Sequence, residues 1–149
     1  MELLVVITVI GILAGLAMSR DPGNNISLLA QTQQLANDIR YTQSLAMSRA
    51  LRYRVNLSAG SYSITDINSN VVPNVITGAN STTLGSGMTI TLPPTNLPND
   101  LIAFDSQGTP YTNSTATTTL SSAATITVKE GTLSHTITIA PQTGKLTVQ

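Results

Sequence analysis

The feature that most limits how this chain can fold lies at its start. Residues 3–19 read LLVVITVIGILAGLAMS and contain no charged side chain. As a helix rising about 1.5 Å per residue, such a run spans about 25 Å, close to the hydrocarbon thickness of a bilayer. It is apolar on every side, so it needs apolar cover all round. A secretory signal peptide would carry a basic stretch ahead of the run, whereas Glu2 precedes this one. A helix that spans a membrane, or is buried in a bundle of other helices, accommodates the run best. Glu2 then has two settings: water at the membrane interface, or a cation on another subunit. A carboxylate beside an apolar run is costly to bury alone.

The apolar run meets a punctuation mark at Asp21, Pro22, Gly23, Asn24 and Asn25. Proline removes a backbone donor and clashes with the preceding turn, and glycine with two asparagines adds turn propensity. The helix is expected to kink or unwind at Pro22 and Gly23. Beyond it, Leu28, Leu35, Ile39, Ala46 and Ala50 recur at four- and seven-residue steps, which marks one face of an amphipathic helix over 24–52. Asp38 lies off that face, free to pair with Arg40 or with another element, or simply to be solvated.

Arg49, Arg52 and Arg54, with Tyr53 among them, form the one basic cluster. They could touch nucleic acid, or they could be cations gathered at a helix C-terminus. Charge decides between these. Seven basic residues balance seven acidic ones, whereas domains that bind nucleic acid electrostatically are strongly basic. Nucleic acid is therefore not the expected partner.

After Arg52 the period of the sequence changes to two. Strands are expected at 54–57 and 62–65 around a turn at 58–61, and a broken strand at 71–76, where Pro73 permits an edge position at most. Residues 78–87 read as a loop, 88–92 as a strand ending at Pro93, and 101–104 as a strand after a turn at 98–100. Asp105, Ser106, Gln107 and Gly108 read as a turn rather than an acid site, because no second carboxylate stands near. Residues 112–122 read as a mobile Ser/Thr-rich loop. Residues 125–129 and 136–139 alternate around Glu130, Gly131 and Thr132 and give the clearest hairpin of the chain. A turn at 141–145 leads into a last strand at 146–148, and His135 is a strand residue with no recognisable catalytic partner.

The fold class is thus α+β. A long N-terminal helix, apolar over 1–23 and amphipathic over 24–52, packs on an antiparallel β-rich head over 53–149, with 24–149 as one soluble domain. With no cysteine and one histidine, thiolate and histidine-cluster metal sites are out of reach. Nucleophile-elbow, phosphate-loop and calcium-loop patterns are missing from the sequence. No catalytic residue, cofactor or metal is expected, so the chain does not read as an enzyme.

The run from Glu2 through Leu3, Leu4, Val5, Val6 and Ile7 to Ile10, Gly11, Ile12, Leu13 and Ala14 resembles the N-terminal helix of type IV pilins and type II secretion pseudopilins. Two further stretches, FDSQG at 104–108 and ITIAPQTGKLTV at 137–148, look like turns of the GspH, FimT and MshC group of minor pilins and pseudopilins. The resemblance implies a filament subunit whose partners are other pilin or pseudopilin subunits and the inner membrane. It implies a single-pass anchor before assembly and a periplasmic or cell-surface filament afterwards. Glu2 would correspond to the family glutamate that pairs with the N-terminal ammonium of a neighbour, and Gly11, Ala14 and Gly15 would let helices approach closely. It also implies a leader cut by prepilin peptidase and a methylated N-terminus, which would make Met1 an internal residue. Within that class a minor subunit is favoured over a major pilin. The alternative from another class is a membrane-tethered module that binds a ligand or DNA through Arg49, Arg52 and Arg54.

Overall fold

Leu28, Thr32, Leu35, Ile39, Thr42 and Ala46 follow one another at three- and four-residue steps, and every one is fully buried. That spacing keeps them on one side of a helix. The computed structural model describes residues 6–7, 22–74 and 77–149, and within it this stripe belongs to helix α1, Pro22–Arg49. Two stripe positions are threonines, which sequence periodicity passes over. Each satisfies its hydroxyl inside its own helix, Thr32 on the Leu28 carbonyl at 2.8 Å and Thr42 on the Asp38 carbonyl at 2.7 Å. A buried hydroxyl bonded in this way costs little, so threonine can stand among leucines.

The helix boundaries differ from expectation. Pro22 and Gly23 do not interrupt α1; they stand in its first turn. Proline is tolerated there because the first helical N–H groups have no intrahelical partner to lose. Any break ahead of Pro22 lies outside the described residues. At the other end α1 stops at Arg49 rather than at residue 52, because Ala50 takes a left-handed conformation with φ of 52°. Ala50 is therefore exposed beyond the stripe instead of continuing it.

Two antiparallel sheets lie under the helix. The first runs in the order β3 (Val71–Val72), β2 (Ser61–Asp66), β1 (Tyr53–Ser58), β6 (Leu101–Phe104), β7 (Pro110–Tyr111), with β4 (Thr82–Thr83) also pairing with β2. The second runs β10 (Leu146–Val148), β9 (Leu133–Ile139), β8 (Ala124–Glu130), β5 (Met88–Ile90). The expected hairpins are present: β1 and β2 pair Val55 with Ile64, and β8 and β9 pair Ile126 with Ile137. In each, alternate residues point to the core, where Val55, Ile126, Val128, Ile137 and Ile139 are fully buried. Helix α1 packs on β1 and β6 of one sheet and on β8, β9 and β10 of the other.

One loop expectation is corrected, and a second loop proves to be hydrogen-bonded. Residues 78–87 contain β4 and the buried Leu84, and Gln31 of α1 holds that loop by accepting the Gly85 N–H at 2.8 Å. Residues 112–122 form a hydrogen-bonded loop around Asn113. Its carboxamide accepts the N–H groups of Thr117 and Thr118 and donates to the hydroxyls of Thr115 and Thr117. Ala116 and Leu120 are buried inside it. A Ser/Thr-rich composition marks a surface that avoids charge, and side-chain bonds to nearby backbone can order such a loop without a strand.

Among the described residues no helix is long and apolar enough to cross a membrane. The expected anchor over 3–19 falls almost wholly outside them; Val6 and Ile7, the exceptions, are helical and exposed.

A left-handed alanine costs about 1–2 kcal/mol relative to glycine. Replacement of Ala50 by glycine should therefore stabilise the domain, by up to about 1 kcal/mol after the extra unfolded-state entropy is counted. Equilibrium unfolding of the two proteins measures the difference; unchanged or reduced stability would show that the helix stop is not strained.

Candidate functional site

The two turns that carry the family resemblance, far apart in sequence, meet at one side chain. Gln43, on α1, donates its amide to the carbonyl of Gly108 at 2.8 Å and to the carbonyl of Thr143 at 2.9 Å. The first turn is built by Asp105. Its carboxylate accepts the N–H groups of Gln107 at 2.8 Å and Thr109 at 2.9 Å, and the hydroxyl of Tyr111 at 3.0 Å. That hydroxyl, holding its proton against the carboxylate, titrates above the usual tyrosine range. Asp105 thus organises the backbone of this turn.

Gly108 closes this turn at φ of 80°, and Gly144 closes the second at φ of 64°. Backbone freedom is half of what glycine supplies here; space is the other half. A Cβ on Gly144 would sit 2.6 Å from the Gln43 amide nitrogen, 3.0 Å from the Phe104 ring and 3.2 Å from the Gly108 carbonyl. Phe104 is fully buried beneath. Helix, first sheet and last turn are therefore fastened at one point.

A second polar link ties α1 to the first sheet. Asp38 is half-buried; it accepts the Tyr62 hydroxyl at 2.6 Å and, more weakly, the Asn74 amide at 3.4 Å. It pairs neither with Arg40 nor with bulk water alone. Arg40 instead donates to Asn37 at 2.8 Å and to the Leu146 carbonyl at 3.4 Å. Burial pushes the Asp38 carboxyl above the usual aspartate range, and the Tyr62 hydrogen bond opposes that rise. Burial also raises Tyr62 far above the usual range, with Asp38 adding to the effect.

The arginine cluster disperses. Arg49 reaches the Tyr53 hydroxyl at 3.4 Å, Arg52 the Thr115 carbonyl at 2.8 Å, and Arg54 the hydroxyls of Thr65 and Ser69 at 2.9 and 2.8 Å. Each of the three guanidinium groups is hydrogen-bonded to a different part of the domain. His135 bridges the ends of the described domain, its ring nitrogens 2.9 Å from the Asn25 side-chain oxygen and 3.2 Å from the Gln149 carbonyl oxygen. Glu2, Gly11, Ala14 and Gly15 lie outside the described residues. No group of histidine and acidic side chains able to hold a metal occurs among the described residues.

Sequence reasoning placed the two glycine turns but not their meeting point. A glutamine on a helix carries no mark that it will reach two carbonyls 65 and 100 residues away.

Gly144→Ala should destabilise the domain by about 2 kcal/mol or more, from left-handed strain plus overpacking. Gly60→Ala should be near neutral, because its Cβ would meet nothing within 4 Å. Chemical denaturation compares them, and equal effects would remove Gly144 from this role. Asp38 gives a pH signature. A carboxyl whose folded-state titration lies above its unfolded one favours folding while protonated, and that contribution is lost as pH rises through the aspartate range. Stability relative to Asp38→Asn should therefore fall as pH rises from about 3.5 to 6; a difference that is flat or rises across that window would overturn the assignment.

Known proteins provide the context for these turns. The family model described as "Type II transport protein GspH" matches residues 31–143, which takes in most of α1, every strand of the first sheet and the second sheet except β10. No curated protein matches the chain. Among solved structures, it resembles the minor pseudopilin EpsH from the type 2 secretion system of Vibrio cholerae, with a TM-score of 0.59 at 11% identity, covering 83% of this chain and 96% of that one. It also resembles the type IV minor pilin FimU of Pseudomonas aeruginosa strain PAO1, with a TM-score of 0.57 at 11% identity, covering 87% and 92%. At such identity the likeness is one of fold, a helix laid over antiparallel sheets. The chain belongs to the GspH family of type II transport proteins.

Proposed function

We propose that this chain is a minor subunit of its filament, held in the inner membrane through residues 3–18 and assembled by helix packing. The observation that carries the reading is the GspH match across α1 and both sheets, joined to an apolar run that enters α1 directly in sequence. During assembly the run exchanges lipid for neighbouring helices, and Gly11, Ala14 and Gly15 allow the backbones to approach. Glu2 fixes the register. A carboxylate in an apolar bundle is tolerated where it meets a cation, here the N-terminal ammonium of an adjacent subunit, so misaligned packings are penalised. Processing by prepilin peptidase upstream of Glu2 would supply that ammonium. The domain over 24–149 forms the outer surface of the filament. The membrane-tethered DNA-binding alternative draws no support from the arginines, whose guanidinium groups make four intramolecular hydrogen bonds.

The test is Glu2→Gln in the native envelope. Incorporation of the subunit into filaments should fall by about tenfold or more, the order expected when one partner of a buried charge pair is removed. Membrane insertion and the folded head should persist, read by fractionation and protease resistance. Normal incorporation of the variant would refute the register role.

A further inference from the structure

Strand β10 ends the second sheet, and its outer side faces a cleft. The cleft measures about 350 Å³ and is lined by Gln33, Asn37 and Arg40 of α1 and by Leu146, Thr147 and Val148 of β10. The three helix residues lie at four- and three-residue steps, so they form one polar wall beside the strand. The ladder to β9 fixes which backbone groups of β10 remain for that cleft. Thr136 and Gln149 exchange both N–H···O bonds, and the Ala140 N–H reaches the Lys145 carbonyl. Thr147 stands opposite Thr138 between those pairs. Hydrogen-bonded pairs alternate along an antiparallel ladder, so Thr147 bonds inward, while the N–H and C=O groups of Leu146 and Val148 point away from β9. The Arg40 contact to the Leu146 carbonyl at 3.4 Å comes from that outer side.

We propose that this cleft is a docking groove for an extended acidic peptide segment of another chain, which adds to β10 as a further strand. An exposed edge flanked by a helix is a geometry that captures extended peptides through main-chain hydrogen bonds. The occupant's chemistry follows from the wall. Arg40 is the charged residue among those lining the cleft. Both of its hydrogen bonds go to neutral oxygens, the Asn37 side chain and the Leu146 carbonyl. Those contacts orient the guanidinium and leave its charge for a carboxylate. Lys145, exposed at the entrance to β10, adds a second cation. A second copy of this edge would bring two Arg40 groups together, which disfavours self-pairing. The groove is distinct from the Glu2 contact, so the two stand or fall separately.

The experiment uses the full chain in detergent micelles and a labelled, capped hexapeptide that alternates valine with threonine around one central glutamate. Two control peptides are compared: one with lysine in place of glutamate, and one N-methylated at alternate residues. Fluorescence anisotropy should show binding of the glutamate peptide below about 1 mM, as for other short augmenting strands. The lysine and N-methyl peptides should bind at least about tenfold more weakly. Arg40→Gln should erase the preference for glutamate over lysine yet keep the sensitivity to N-methylation. Val148→Pro removes an outward N–H at an edge position where proline is tolerated, and it should weaken every peptide while far-UV dichroism stays unchanged. Three outcomes would each overturn the proposal: no binding of the glutamate peptide at about 1 mM, equal binding of the N-methylated peptide, which would mean attraction by charge alone, or affinity unaltered in both variants.

Discussion

Among the described residues no strand belongs to both sheets, and helix α1 contacts strands of each. The structure depends on that shared contact. A fully buried stripe of six residues supplies its apolar part, worth about 1.5–3 kcal/mol for each large aliphatic side chain taken from water. Dispersion and hydrophobic burial are not directional, however, and a helix held by them alone could slide or roll. Gln43 removes that freedom, because two carbonyls from different turns fix both its position along the groove and its rotation. Asp38 on Tyr62 and Gln31 on the Gly85 N–H add two further fixed points on the same helix.

None of these fastenings is an ion pair; amides and hydroxyls meet backbone groups or a single carboxylate, in keeping with a chain in which charged residues are 9% of the total. Asn113 builds one loop, Asp66 with Asn70 another, and Asn96 bridges to the Ala123 carbonyl. Hydrogen bonds between neutral groups are screened far less by salt than ion pairs at a surface. A domain fastened in this way keeps its shape across wide changes of ionic strength.

Period and punctuation in the sequence were enough to read the α+β order, the two hairpins and both glycine turns. What they missed has a common cause. Thr32 and Thr42 look polar, yet their hydroxyls are satisfied within one turn of helix, so they belong to the buried stripe. Residues 112–122 look featureless, yet one asparagine organises them. In each case the deciding partner is a backbone group, and composition and spacing do not record backbone partners. The site followed the same rule: the turns were legible as turns, whereas Gln43, which unites them, was not.

The last turn and the strand after it have a consequence for how such a subunit comes into being. Gln43 waits for a carbonyl 100 residues further along the chain, and Leu146, which pairs with Ile139, covers part of the core. Contacts so distant in sequence are late and slow to form. A chain that emerges with its N-terminus leading therefore holds an open core under α1 until its final residues arrive. For that interval the part of the core that β10 covers stays open, and its exposure lasts as long as the C-terminus takes to follow.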